Sequence, residues 1–396
     1  MFDALFTTTT EYKKLSHALS GKGACALFGL PASGRAQVYA ALCRQLDKPL
    51  CIVTPGEAEA TRFAADLNTL GIPAAVFPAR DYVLRPIEGT AREYEYRRLA
   101  VLGELVCGRL RAVAVPAEAL TQFTTPKEDF CANTRTLHAG DTLLRDDLLA
   151  ALFGAGYTRR AQVDGPGQFS VRGDIVDIFA PDQKMPVRME FWGDDIDTLH
   201  TFDLTTQRRE DAIDKFYLSP AREVLFGKPA DAAEQLRAFL AKQRGKKKTA
   251  MADCMAADLD LLDGGAVPVN MDKYLAVRYP HPATVLDYFD DPILVAEEPA
   301  SIREADRATA YRRGEELKSL ILDGVLCAGL DNLYADPSYL WSKTGHYRTI
   351  CAENFARSMP DQPLKDIINA PAHTLPAWNG EVAGLREDWK PRCDAG

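Results

Sequence analysis

The chain holds 396 residues, which at roughly 150 per domain means two to three domains and excludes a lone small module. With 46% hydrophobic, 26% charged and 9% aromatic residues it has the balance of an ordinary globular protein, which excludes a disordered or collagen-like chain. Forty-seven Lys and Arg against 56 Asp and Glu leave a net charge of −9, so a broad cationic surface that grips nucleic acid is excluded while a local basic groove is not. The nine cysteines, at 25, 43, 51, 107, 131, 254, 327, 351 and 393, are odd in number and scattered, with no C-x-x-C pair. That is unlike a disulfide framework or a zinc site and predicts a reducing compartment. The N-terminus lacks a basic region and a sustained apolar stretch, and no later run approaches the roughly 18 apolar residues of a membrane span. A cytoplasmic protein with no membrane contact is expected.

Residues 24–30 form an apolar run that opens into Pro31-Ala32-Ser33-Gly34-Arg35 and a helix-period segment over 36–46, giving strand, glycine loop and helix. A buried strand over 50–54 follows, then a helix over 56–70 that lines up Ala58, Phe63, Ala64, Leu67 and Leu70. A strand at 74–77, a helix over 91–107 and a strand at 112–115 continue the alternation. Strands alternating with helices predict a parallel α/β sheet.

The loop Gly29-Leu30-Pro31-Ala32-Ser33-Gly34-Arg35-Ala36 has the spacing of the phosphate-binding pattern G-x-x-x-x-G-K-[ST] but departs from it at the last two positions. In a working loop the Lys ammonium sits on the β and γ phosphates and the hydroxyl ligates magnesium. Arg35 is planar and bulkier, and Ala36 has no oxygen to offer a metal. The loop is therefore read as a retained fold without its chemistry; the alternative is a weak nucleotide site built on backbone N–H groups and the helix dipole.

From residue 127 the pattern changes to a helix over 143–153 and then short strands broken by Gly, Pro and Asp, an α+β region that is mostly antiparallel. Val187-Arg188-Met189-Glu190-Phe191 alternates, so Arg188 and Glu190 share one face while Val187, Met189 and Phe191 share the other. By this reading the charged pair lies on an open sheet face, where most ion pairs matter little.

The stretch Gly165-Pro166-Gly167-Gln168-Phe169-Ser170-Val171-Arg172-Gly173-Asp174-Ile175-Val176-Asp177-Ile178-Phe179, followed by 187–197, closely resembles the UvrA-interaction domain of UvrB, and at least as well that of the bacterial transcription-repair coupling factors (Mfd). Phe202-Asp203-Leu204-Thr205-Thr206-Gln207-Arg208 is also similar to the coupling factors. The resemblance implies a surface that docks on UvrA through Arg188 and Glu190, with Phe169 and Arg172 on the neighbouring hairpin. Ser170 stands where UvrB commonly has an Arg, so that contact is not carried over.

Downstream, a helix is expected over 231–243, then the basic run Arg244-Gly245-Lys246-Lys247-Lys248 and further helix to 262. The run is read as a solvated helix end, with a nucleic-acid contact as the sharper alternative. Residues 284–299 form a strand ending in Glu297-Glu298, which resembles the UvrB strand whose Asp-Glu-Ser-His end places acids at magnesium and the attacking water. Here Glu297 replaces the Asp and the His is missing, so the acids are read as a solvated turn. The six histidines stand singly, without metal-ligand spacing, and no nucleophile–base pair is found.

The resemblance implies a RecA-like P-loop-type parallel sheet domain over 1–126, an inserted UvrA-interaction domain over 127–212, the return of the first domain over 213–322, and a small C-terminal α/β domain, or part of one, over 323–396. It implies an N-terminal, non-catalytic fragment of a coupling factor, a monomer that recruits UvrA to stalled transcription. ATP and magnesium, RNA polymerase and DNA would belong to domains absent from this chain, which is expected to hold no metal and no cofactor. The alternative is a UvrB-like, ATP-dependent damage-verification enzyme. The interval 77–97 is too short for the aromatic-rich hairpin that UvrB inserts into DNA, although Tyr82, Tyr94 and Tyr96 are present.

Overall fold

A computed structural model describes residues 7–87, 92–355, 363–372, 387 and 390. The strands in chain order are β1 (Gly23–Phe28), β2 (Leu50–Thr54), β3 (Ala74–Val76), β4 (Ala112–Pro116), β5 (Arg135–His138), β6 (Thr158–Arg159), β7 (Gln168–Arg172), β8 (Ile175–Phe179), β9 (Val187–Trp192), β10 (Asp195–Phe202), β11 (Arg209–Ala212), β12 (Lys215–Leu218), β13 (Ile293–Glu297), β14 (Arg348–Glu353) and β15 (Leu364–Asn369).

Seven of them form one sheet in the order β15-β1-β14-β13-β2-β4-β3, and every neighbouring pair is parallel. Strands such as Leu50-Cys51-Ile52-Val53 are apolar at every position because both faces are covered. Leu27, Ile52, Val295 and Ile350 face the helices Ala32–Leu46 and Glu57–Thr69, while Val53, Val115, Leu294 and Cys351 face the helix Glu93–Val106. This is the expected RecA-like α/β arrangement.

One boundary is corrected. Residues 323–396 were expected to form a separate small domain, yet β14 and β15 lie in the parallel sheet on either side of β1, and Ile350, Ala352 and Ile368 fill its core. The stretch 374–389, also read as part of that small domain, lies outside the described residues apart from Glu387.

The inserted region is a second sheet in the order β11-β10-β9-β8-β7-β6, antiparallel except for the β6–β7 pair. Its inner face packs Phe169, Val176, Ile178, Val187, Met189 and Leu199 against the helix Arg145–Gly154 and the β5–β12 ribbon. Because Phe216, Leu218 and Ala221 belong to that same core, the insertion runs past its expected end at 212.

A third core, around Leu236, Met255, Tyr274 and Leu330, joins the helices Pro229–Ala241 and Gly245–Asp263 to the end of the helix Pro299–Leu322. Where the three cores meet lies a buried ion network. Arg98 donates to Glu223 at 2.6 Å and to Gln122 at 2.9 Å, and Arg80 donates to Asp272 at 2.7 Å and lies 3.3 Å from Glu223. Among the described residues no helix is long and apolar enough to cross a membrane.

Candidate functional site

The glycine loop follows β1. Gly29 takes φ 91°, a left-handed value that favours glycine. The following helix starts at Ala32 behind Pro31, with no side-chain cap. Ser33 is exposed, Gly34 half-buried, and the Ala36 methyl is packed into the core. The chain leaving β15 runs against this loop. Ala370 N–H donates to the Phe28 carbonyl at 2.9 Å, Ala372 N–H donates to the Gly29 carbonyl at 3.2 Å, and a Cβ added at Gly29 would stand 2.8 Å from the Ala370 oxygen.

Arg35 is turned inward, with 2% of its surface exposed. One Nη lies 2.8 Å from Glu297 and 3.1 Å from Glu298, and the other donates to Asn354 at 3.3 Å. Tyr39 donates its hydroxyl hydrogen to Glu297 at 2.5 Å. Burial pushes the Glu297 carboxyl up to about 7, against the opposing pull of Arg35, and burial together with Glu297 raises the Tyr39 phenol. The cation that would face the phosphates and the acids that would hold magnesium are thus spent on each other. The solvated turn expected at the strand end is corrected: Glu297 is 1% exposed, because Arg35 and Tyr39 offset the cost of burying it.

On the inserted domain, register sets the outer face. Asp177 and His200 pair with Arg188, and Ile175 and Thr198 pair with Glu190, so these side chains share a side. Asp177 is fully buried and accepts from Arg188 at 2.7 and 3.0 Å and from Arg172 at 2.6 Å. Arg188 also donates to the Gln207 carbonyl at 3.1 Å and lies over the Phe202 ring at 4.7 Å. Glu190 is ion-paired with Arg209 and accepts from Thr198 at 3.3 Å.

Two expectations change here. Arg188 is not on an open face, since only 9% of it is exposed beneath the returning 202–207 segment. Phe169 is no surface contact: it is fully buried, meets Phe153 edge to face at 5.3 Å, and pairs with Ile178 on the inner side. Arg172 and Glu190 remain at the surface, with side chains 47% and 20% exposed. Sequence reasoning assigned nothing to Asp177, Gln207 or Arg209. Period-two alternation could have found Asp177, which sits opposite the inward pair Val176 and Ile178.

Residues 136–224 match the UvrB interaction domain family. The molecule is therefore a RecA-like α/β unit carrying an inserted, mostly antiparallel domain that is similar to the UvrB interaction domain family. Over 92% of its length the chain is 27% identical to the transcription-repair-coupling factor of Bacillus subtilis (strain 168), of which it covers 32%. It is 35% identical to that of Myxococcus xanthus over 50% of the chain and 17% of the relative. With that of Mycobacterium bovis (strain ATCC BAA-935 / AF2122/97) it shares 34% identity over 62% of the chain and 20% of the relative. Along most of its length the chain is thus similar to transcription-repair-coupling factors, and it spans about a third or less of the length of these relatives.

Proposed function

We propose that this chain is a docking module that binds UvrA, links stalled transcription to nucleotide excision repair, and does no nucleotide chemistry of its own. The observation that carries the reading is the outer face of the inserted domain, where Arg172 and Arg188 converge on Asp177 beside the Glu190–Arg209 pair. Charges fixed by their neighbours need little ordering when a partner arrives, and their pattern selects that partner and its register. Arg172 and Glu190 would touch UvrA, and Arg188 would hold Asp177 and Arg172 in place from below. Polymerase and DNA contacts are assigned to the rest of the longer relatives, and ATP hydrolysis with them. In support of a non-catalytic role, Arg35 is held by Glu297, Glu298 and Asn354, so nucleotide would have to break a buried ion cluster before it could bind.

The test is a titration with purified UvrA and, separately, with a fluorescent ATP analogue plus magnesium. UvrA binding that falls at least about tenfold in Arg172→Gln, which can still donate to Asp177, with protein that remains folded at the assay temperature, is the expected result. Tight nucleotide binding without UvrA binding would reverse the assignment in favour of a UvrB-like enzyme.

A further inference from the structure

We propose that the cleft between the inserted domain and the helices Pro229–Ala241 and Gly245–Asp263 receives an extended, acidic segment of a partner protein that carries aliphatic side chains. Arg172, Arg188 and Glu190, the residues assigned to UvrA, lie outside this cleft. It encloses about 780 Å³ where two units of the fold meet, a common setting for ligand sites. Glycine contacts hold its walls together. Gly167, at φ 73°, passes so near Tyr96 that an added Cβ would stand 2.9 Å from the phenol oxygen, and a Cβ at Gly156 would stand 2.8 Å from the Arg222 side chain. A cleft formed in advance costs its occupant little reorganisation.

Charge sets the first requirement on that occupant. The chain carries a net charge of −9, yet the cleft is lined by four arginines, Arg92, Arg159, Arg160 and Arg222, and by two aspartates, Asp164 and Asp272. Arg92 is spent on Glu95 and Asp272 on Arg80, which leaves Arg159, Arg160 and Arg222 against Asp164. Arg222 donates to the Tyr96 hydroxyl at 3.0 Å and to the Ala221 carbonyl at 2.9 Å, and it feels the buried Glu95 without forming an ion pair. Arg159 and Arg160 are exposed and have no carboxylate partner among the described residues. Planar guanidinium forks presented along one cleft suit carboxylates.

The opposite wall and the strand edge set the others. Ile87, Val267 and Val269 are 59%, 56% and 40% exposed, and all three line the cleft. Its aromatic rings are already engaged: Phe153 packs on Phe169, Phe226 on Tyr274, and Tyr96 accepts from Arg222. An aliphatic wall without a free ring suits peptide side chains rather than nucleobases, which stack on aromatics. β6 ends the inserted sheet, and the Thr158 and Arg160 N–H groups donate to the Gly167 and Phe169 carbonyls at 2.9 and 2.8 Å. Alternation therefore turns the Arg159 peptide groups to the open edge. Because Thr158, Arg159 and Arg160 all line the cleft, it runs along that edge. An extended peptide can add there as a further strand, with its carboxylates on the arginines and its aliphatic side chains on Ile87, Val267 and Val269.

The probe is a fluorescent peptide of about seven residues that alternates Glu with Ile, with a Lys-for-Glu version and a single-stranded oligothymidylate of similar length as controls. Anisotropy titrations compare the whole wild-type chain with Arg159→Glu plus Arg160→Glu, with Val267→Asp and with Arg172→Gln, melting temperatures being read in parallel. Binding of the Glu–Ile peptide is expected to weaken with salt and to fall at least about tenfold in the arginine double variant and in Val267→Asp, at unchanged melting temperature. It should be unaltered in Arg172→Gln, and hydrogen exchange at residues 158–160 should slow when the peptide is bound. No binding by the wild type, equal binding by the double variant, or equally tight binding of the Lys version overturns the proposal. Oligothymidylate binding that the double variant loses, without Glu–Ile binding, would make the occupant a nucleic acid and the proposal wrong. Unchanged UvrA binding by the double variant supports a second site apart from the UvrA face, whereas loss of UvrA binding with that of the peptide would assign the cleft to UvrA and overturn it.

Discussion

Arg35 shows how one side chain can close a site that its neighbours' spacing leaves open. Its guanidinium neutralises Glu297 inside the protein, so Arg35→Ala would strand a buried carboxylate, at a cost of about 3–5 kcal/mol. The pH dependence has a definite sign. Burial raises Glu297 to about 7, above an unfolded value near 4.3, so protonation favours the fold. That contribution is complete below about pH 4.3 and is lost as pH rises through about 7. Without Arg35 the carboxyl is pushed higher still, so urea titrations of Arg35→Ala should show a larger deficit near pH 8 than near pH 5. An equal deficit at both would mean that Glu297 is ionised throughout. Phe169 makes the complementary point. Phe169→Ala should cost about 3–5 kcal/mol, and any loss of UvrA binding should track the fraction unfolded, because the ring lies inside the domain. Arg188→Ala likewise removes a bidentate partner from the buried Asp177, so a lowered melting temperature is expected with it. The alternation Phe169-Ser170-Val171-Arg172 already assigns Phe169 and Arg172 to opposite faces, and following the strand period would have corrected that assignment. The Arg35–Glu297 contact had no such signal, since only the sheet brings those positions together.

Among the elements, the parallel strands were legible because segments buried on two sides run apolar residue after residue, as over Leu50–Val53 in β2 and Ile293–Ala296 in β13. The inserted sheet was legible through alternation and through its Gly and Asp turns, as at Arg172-Gly173-Asp174 between β7 and β8. β15 was not. Leu364-Lys365-Asp366-Ile367-Ile368-Asn369 carries two charges and leaves Ile367 63% exposed, as befits an edge strand with one covered face, and so lacks the pattern of its neighbours. Its contact with the glycine loop supplies a test. Gly29→Ala forces a side chain into a left-handed backbone conformation and onto the Ala370 carbonyl. A loss of about 1–3 kcal/mol in thermal or urea unfolding is expected, together with faster hydrogen exchange in 364–370. Unchanged exchange there would show that β15 does not depend on the loop.

For the molecule as a whole, the Arg80–Glu223–Arg98 cluster, with Asp272, ties the segment that leaves the inserted domain after β12 to the parallel sheet and the helical unit. Glu223 faces two buried guanidinium groups, so Glu223→Ala leaves Arg98 without its carboxylate and Arg80 with Asp272 alone. Calorimetry should show one cooperative unfolding transition in the wild type and two in Glu223→Ala, with the inserted domain separating from the rest. A single, merely lowered transition would place the coupling elsewhere. The network was not legible in the sequence, because its members come from positions 80, 98, 223 and 272 and none forms a local motif.

The position of β1 between β14 and β15 carries a consequence for biosynthesis. Of the described strands β1 is made first, and it finds its two ladder partners only after residues 348–369 have been made, so its apolar edges wait unsatisfied while more than 300 intervening residues are synthesised. Nascent chains halted before that point should be captured by chaperones or precipitate, and should become protease-resistant only when the late strands emerge from the exit tunnel.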